Sequence, residues 1–149
     1  MKKTIIISLF ATKFLFSQTI QLAEFYYENG LPKDIRTYKQ TRKRLELIKK
    51  TFFYESGQKE KEGSCKYGKK DGKWTEWRLD GTRTVEGMFK DGEKHGQWTY
   101  WYWNGQKDRE RSYFHGEKDE KWIKRRPKGE KHWEKTFEQG VQIGMGLLY

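Results

Sequence analysis

Aromatic and glycine positions recur along this chain with a fixed period. Gly57, Gly81, Gly105 and Gly129 stand 24 residues apart, as do Gly68, Gly92, Gly116 and Gly140. Trp74, Trp98 and Trp122 keep the same period, and so do Lys59, Arg83, Lys107 and Lys131. Phe53, Trp77 and Trp101 form a further column that ends in Arg125, and Gly72 and Gly96 form one that breaks at Glu120 and resumes at Gly144. A first unit precedes these around Tyr27 to Gly30; the step from Gly30 to Gly57 is 27, so it carries three extra residues. A repeat of this length is one supersecondary unit stacked on its neighbours.

Turn dipeptides divide each unit into two short strands of about 5 to 8 residues. Asp80-Gly81 and Asn104-Gly105 read as two-residue type I′ hairpin turns, and Asn29-Gly30 and Ser56-Gly57 fit the same slot. A second turn is expected in each Gly-x-Lys-x-Gly stretch, Gly68 to Gly72 and Gly92 to Gly96. The pattern therefore predicts an all-β protein, an antiparallel β-meander of tandem 24-residue hairpins forming an extended open sheet. A two-residue turn at Asp80-Gly81 sets Trp74 opposite Gly87 and sends Trp77 to the other face; a three-residue turn reverses that partition, because a slip of one residue flips every side chain.

Four segments follow: residues 1–17 as a leader, 18–50 as a degenerate first repeat with an insertion, 51–122 as three regular repeats, and 123–149 as a degenerate capping repeat. The leader has Lys2 and Lys3 before a short apolar run and closes on Ser17, the order of a secretory signal peptide. Cleavage there takes the formal charge from +11 to +8, since Lys2, Lys3 and Lys13 are lost and no acid is. The stretch from Tyr38 to Lys50 is open between an edge strand and a short helical turn. Pro127 and the dense charge are expected to guard the sheet edges against self-pairing.

The 149 residues suit one domain or one short array, and composition narrows the class. Aromatics are 17% of the chain and only Val85 and Val141 represent valine, which excludes a parallel sheet of aliphatic strands. The 25 aromatics argue equally against disorder. Cys65, the single cysteine, cannot form an internal disulfide and shares a column with Phe89, Tyr113 and Phe137, so it reads as a small apolar strand residue. His95, His115 and His132 fall at different repeat phases, and no nucleophile, phosphate-loop or zinc spacing occurs. Catalytic, metal and cofactor sites are therefore not expected.

The segments Tyr102 to Lys107 and Asp91 to Trp98 resemble the MORN repeat, and more closely the bacterial MORN-variant repeat of YwqK-type proteins, catalogued as antitoxin components of toxin–antitoxin systems. The resemblance covers about residues 25 to 146. It implies an extended hairpin sheet that binds membranes, lipids or other proteins, or that neutralises a cognate toxin.

From the residues themselves, two columns are the candidate binding surface. One is Lys70, Lys94 and Lys118; the other is Trp77 and Trp101 with Tyr100 and Trp103 beside them. Together they are expected to form one striped basic and aromatic surface, whereas Trp74, Trp98 and Trp122 are expected to be core rungs. The leading expectation is an exported, non-catalytic scaffold for a protein partner. Adhesion to anionic lipid or an acidic envelope polymer is the alternative, and nucleic acid is disfavoured by export.

Overall fold

The computed structural model describes residues 18–149, so the leader lies outside the described residues. Eleven strands follow one another: β1 (Thr19–Ala23), β2 (Asp34–Gln40), β3 (Leu45–Phe53), β4 (Lys59–Lys66), β5 (Lys69–Trp77), β6 (Arg83–Lys90), β7 (Glu93–Trp101), β8 (Lys107–Phe114), β9 (Glu117–Arg125), β10 (Lys131–Glu138) and β11 (Val141–Leu148). They pair in sequence order into one antiparallel meander that does not close. Residues 38 to 50 are strand and turn: β3 lies inside the sheet between β2 and β4, and the Thr41 amide bonds to the Arg44 carbonyl across the connection. Pro127 sits in the turn between β9 and β10, so it guards no edge.

The two kinds of turn are the reverse of those the dipeptides suggested. Tyr67-Gly68, Asp91-Gly92, His115-Gly116 and Gln139-Gly140 have positive φ at both positions, the type I′ signature, and directly join β4 to β5, β6 to β7, β8 to β9 and β10 to β11. The Gly-x-Lys-x-Gly stretches are thus mostly strand. At the other end of each hairpin only the glycine is left-handed: the Gly81 amide donates to the Arg78 carbonyl and the Arg78 amide to the Thr82 carbonyl, closing a three-residue turn. Asp80 holds that turn by accepting bonds from the Thr82 amide at 2.8 Å and hydroxyl at 2.6 Å, and Asn104 accepts one from the Gln106 amide at 3.1 Å.

A three-residue turn should flip the faces, yet Trp74 still pairs with Gly87. The register shift between Glu76 and Trp77 leaves Thr84 as an extra residue in β6, and this bulge cancels the slip. Equivalent shifts recur beside Phe53, Trp101 and Lys131, so the turn and its bulge are one repeated device.

A second irregularity sits near the start of β5, β7 and β9, where Gly72, Gly96 and Glu120 take φ of 98°, 64° and 50°. Glu120 alone bears a side chain there, in backbone that costs an L residue about 1–3 kcal/mol. Glu120→Gly should raise stability by about 1 kcal/mol after the glycine's larger unfolded-state entropy is counted, read as a higher urea midpoint at unchanged m value.

Successive units are stitched at both ends. Side chains of Tyr54, Arg78, Tyr102 and Arg126, again 24 apart, donate to the carbonyls of Trp77, Trp101, Arg125 and Tyr149 at 2.7–3.0 Å. At the opposite end the amides of Gly92, Gly116 and Gly140 donate to the carbonyls of Lys70, Lys94 and Lys118 at 2.8–2.9 Å.

Candidate binding faces

Strand alternation sorts the side chains onto two faces of opposite character. On the first, which we call the indole face, six rings run across the strands in edge or tilted contact: Trp74 to Phe89 at 5.9 Å, Phe89 to Trp98 at 4.9 Å, then Tyr113 at 6.4 Å, Trp122 at 5.3 Å and Phe137 at 5.1 Å. Each indole lies back over the preceding strand. Its Nε1 donates to the carbonyl of Ser64, Met88 or Ser112 at 2.9–3.0 Å, and a Cβ at Gly63 or Gly87 would overlap the indole of Trp74 or Trp98. Cys65 continues the line, buried, its thiol pushed up by that burial.

Among the described residues the sheet is a single layer with no second layer over these rings, and basic side chains stand over them instead. Lys70 stands 4.2 Å from the Trp74 centroid and 4.6 Å from that of Phe89; Lys94 is 4.3 Å from Trp98; Lys118 is 5.0 Å from both Trp122 and Phe137. Each ammonium group thus stands over the rings in a cation–π arrangement, at the end of a long aliphatic stem. In the third unit Arg111 takes the glycine column and lies 4.4 Å from Trp122 and 5.5 Å from Tyr100. Among the described residues none of these four cations has a carboxylate within ion-pair distance. Lys94 does donate to the Tyr100 hydroxyl at 3.1 Å. Burial, with Lys61 and Lys50 nearby, draws the Lys70 ammonium below the ordinary lysine value despite Glu76.

The second face carries a polar row. Thr51, Glu62, Thr75, Glu86, Thr99, Glu110, Ile123 and Glu134 pair in succession across β3 to β10. Each glutamate is gripped by two cations: Glu62 by Lys49 and Lys59, Glu86 by Lys73 and Arg83, Glu110 by Lys107 and Arg125, Glu134 by Lys121 and Lys131, all at 2.6–3.1 Å. Burial opposes ionisation of Glu62, Glu86 and Glu110, but the cations outweigh it; at Glu134 the bond from Lys131 is the leading cause. All four carboxyls are held below the ordinary glutamate range. Trp77 and Trp101 belong to this glutamate face, half-buried, with Lys59 at 6.0 Å and Arg83 at 4.8 Å from their rings.

The expected single stripe is therefore divided. Lys70, Lys94 and Lys118 lie with Tyr100 on the indole face, Trp77 and Trp101 lie behind them on the glutamate face, and Trp103 projects from the turn after β7, 77% exposed. The lysines are also on β5, β7 and β9 rather than in turns. Reading by repeat column missed Glu62, Glu86, Glu110 and Glu134, although they too are 24 apart. It also missed a meeting across phases, His95 against His115 at 5.6 Å, with His115 Nδ1 3.8 Å from Glu93. Among the described residues no group of three His, Cys, Asp or Glu is placed to hold a metal ion. Compared with known proteins, the chain matches no family model, and no curated protein matches it.

Proposed function

We propose that this protein is an exported, non-catalytic scaffold whose indole face receives an acidic stretch of another protein. The observation that carries the reading is the contrast between the two faces. Cations of the glutamate face are spent on its own carboxylates. Lys70, Lys94, Arg111 and Lys118 instead stand over aromatic rings with no carboxylate within ion-pair distance among the described residues. Lys70, Lys94 and Lys118 recur on every second strand, roughly 10 Å apart. At physiological salt that is about one Debye length, so an isolated acid gains little and a partner presenting several acids at matching intervals gains at each step. The rings beneath add apolar contact to each charge, which suits a protein surface carrying both. The MORN-like pattern of the hairpins supports the same class of role.

The test is a crosslinked pull-down of the full chain from its native cells, eluted with rising salt and read by mass spectrometry with lipid analysis. The comparison is a variant with Lys70→Gln, Lys94→Gln and Lys118→Gln. Glutamine suits the fold in this column, because Gln142 occupies it in β11. A stoichiometric protein whose capture falls at least about tenfold in the triple variant is the expected result. Recovery of only anionic lipid or acidic polymer, or capture indifferent to the three lysines, overturns it.

A further inference from the structure

The last strand differs from its counterparts in a way that repetition makes measurable. β5, β7 and β9 occupy the same place in their units as β11 and all carry charge: Lys69, Lys70, Asp71, Lys73 and Glu76 in β5, Glu93 and Lys94 in β7, seven charged residues in β9. β11 carries none. Position by position, Gln142 stands where the others have lysine, Ile143 where they have aspartate or histidine, Met145 where β5 and β9 have Lys73 and Lys121 and β7 has Gln97, and Leu148 where β5 and β9 have Glu76 and Lys124 and β7 has Tyr100. In a chain of which 36% is charged, such neutrality across eight residues is a departure from its own template.

β11 is also open. Among the described residues it pairs with β10 alone, and all eight of its residues are exposed, Met145 at 96% and Leu148 at 79%. Sheet edges left to water are ordinarily guarded by lysine, proline or inward charge, and here the guard is missing. Nor does the irregularity at Gly144 close it off. β5 and β7 bend alike at Gly72 and Gly96, and on the side that is free in β11 those strands accept β6 and β8 in regular register, Gly72 opposite Phe89 and Gly96 opposite Tyr113.

We propose that β11 pairs with β11 of a second copy of this chain, antiparallel, about a two-fold axis perpendicular to the sheet. Charge selects the occupant. Where β6 lies against β5, Lys73 meets Glu86 at 3.0 Å, and where β10 lies against β9, Lys121 meets Glu134 at 3.0 Å. Met145 fills that column in β11, so a charged strand docking there finds no counter-ion, whereas a neutral strand loses nothing. β1 and β11 are the uncharged strands among those described. An antiparallel pair of identical strands is self-complementary, sets no like charges opposite one another, and carries both faces across the seam. β1, five residues against eight, offers the shorter ladder and meets β11 antiparallel only with the faces inverted.

The experiment is sedimentation equilibrium on the full chain, with far-UV circular dichroism as the control for folding. The wild type should weigh twice the monomer. Ile143→Asp with Met145→Lys, which restores the residues that β5 and β9 accommodate in these columns, should halve that mass at unchanged ellipticity. Gln142→Lys, a single exposed change, should weaken the dimer at least about tenfold and serves if the double variant unfolds. Ile20→Lys in β1 should leave the mass unchanged. A monomeric wild type overturns the proposal, as does a dimer indifferent to both β11 variants or one abolished by Ile20→Lys alone.

Discussion

Trp98→Ala should cost about 3–5 kcal/mol, enough to remove much of the stability of a domain of this size. Trp98 is 4% exposed and central in the line of six rings, touching Phe89 at 4.9 Å and Tyr113 at 6.4 Å, with Lys94 above it and Gly87 beneath. Alanine removes the burial, both ring contacts and the surface that Lys94 covers, and it leaves the Met88 carbonyl without the indole donor. The cavity has no second layer to fill it, because the described residues form one sheet alone. In an array stabilised by nearest-neighbour interfaces, losing the middle link should also split a single urea transition into two, one for each side of β7. Trp98→Phe should keep the ring contacts and lose the bond to Met88, costing about 1–2 kcal/mol and leaving one transition. Trp103→Ala should change the midpoint by no more than about 0.5 kcal/mol, since that ring touches water on most sides. Equal effects at Trp98 and Trp103 would show that the line of rings is not the core.

The repeat period makes the meander and its rungs legible in the sequence, because turn glycines and indoles are scarce types whose recurrence stands out. The glutamate row has the same period and escapes notice for the opposite reason: among 32 basic and 21 acidic residues a column of four acids is inconspicuous. Turn type is illegible because Asn-Gly serves either loop length. What decides is the bulge that follows, and Thr84 bears no mark of being the extra residue. The split of the binding stripe was within reach by parity. Lys70 and Trp77 are seven apart, an odd step that places them on opposite faces, while Lys70 and Trp74 are four apart. Strand alternation outweighs nearness in the repeat, and grouping by column concealed it.

The same row makes the fold acid-sensitive, with a direction fixed by its ion pairs. Folding lowers the pKa of Glu62, Glu86, Glu110 and Glu134, so the folded state binds fewer protons than the unfolded chain near pH 4. The stability these groups contribute is present in full above the ordinary glutamate value of about 4.3 and disappears as pH falls through the lower folded values. Glu110 is the strongest case. Its side chain is 9% exposed, and Lys107 at 2.6 Å and Arg125 at 2.8 Å come from two different strands. Arg125 stands where earlier units have Trp77 and Trp101, so the loss of an aromatic there is also the gain of this clamp. Glu110→Gln keeps the shape and loses the charge. It should cost about 1–2 kcal/mol at pH 7, discounted for the solvent that reaches both cations, and less at pH 3, below the ordinary glutamate value. Glu46→Gln, at an exposed pair with Arg44, should fall within about 0.5 kcal/mol at either pH. Urea midpoints taken across pH 3 to 7 check this. A Glu110→Gln curve parallel to the wild type throughout would mean that the row is held by packing and backbone pairing rather than by charge.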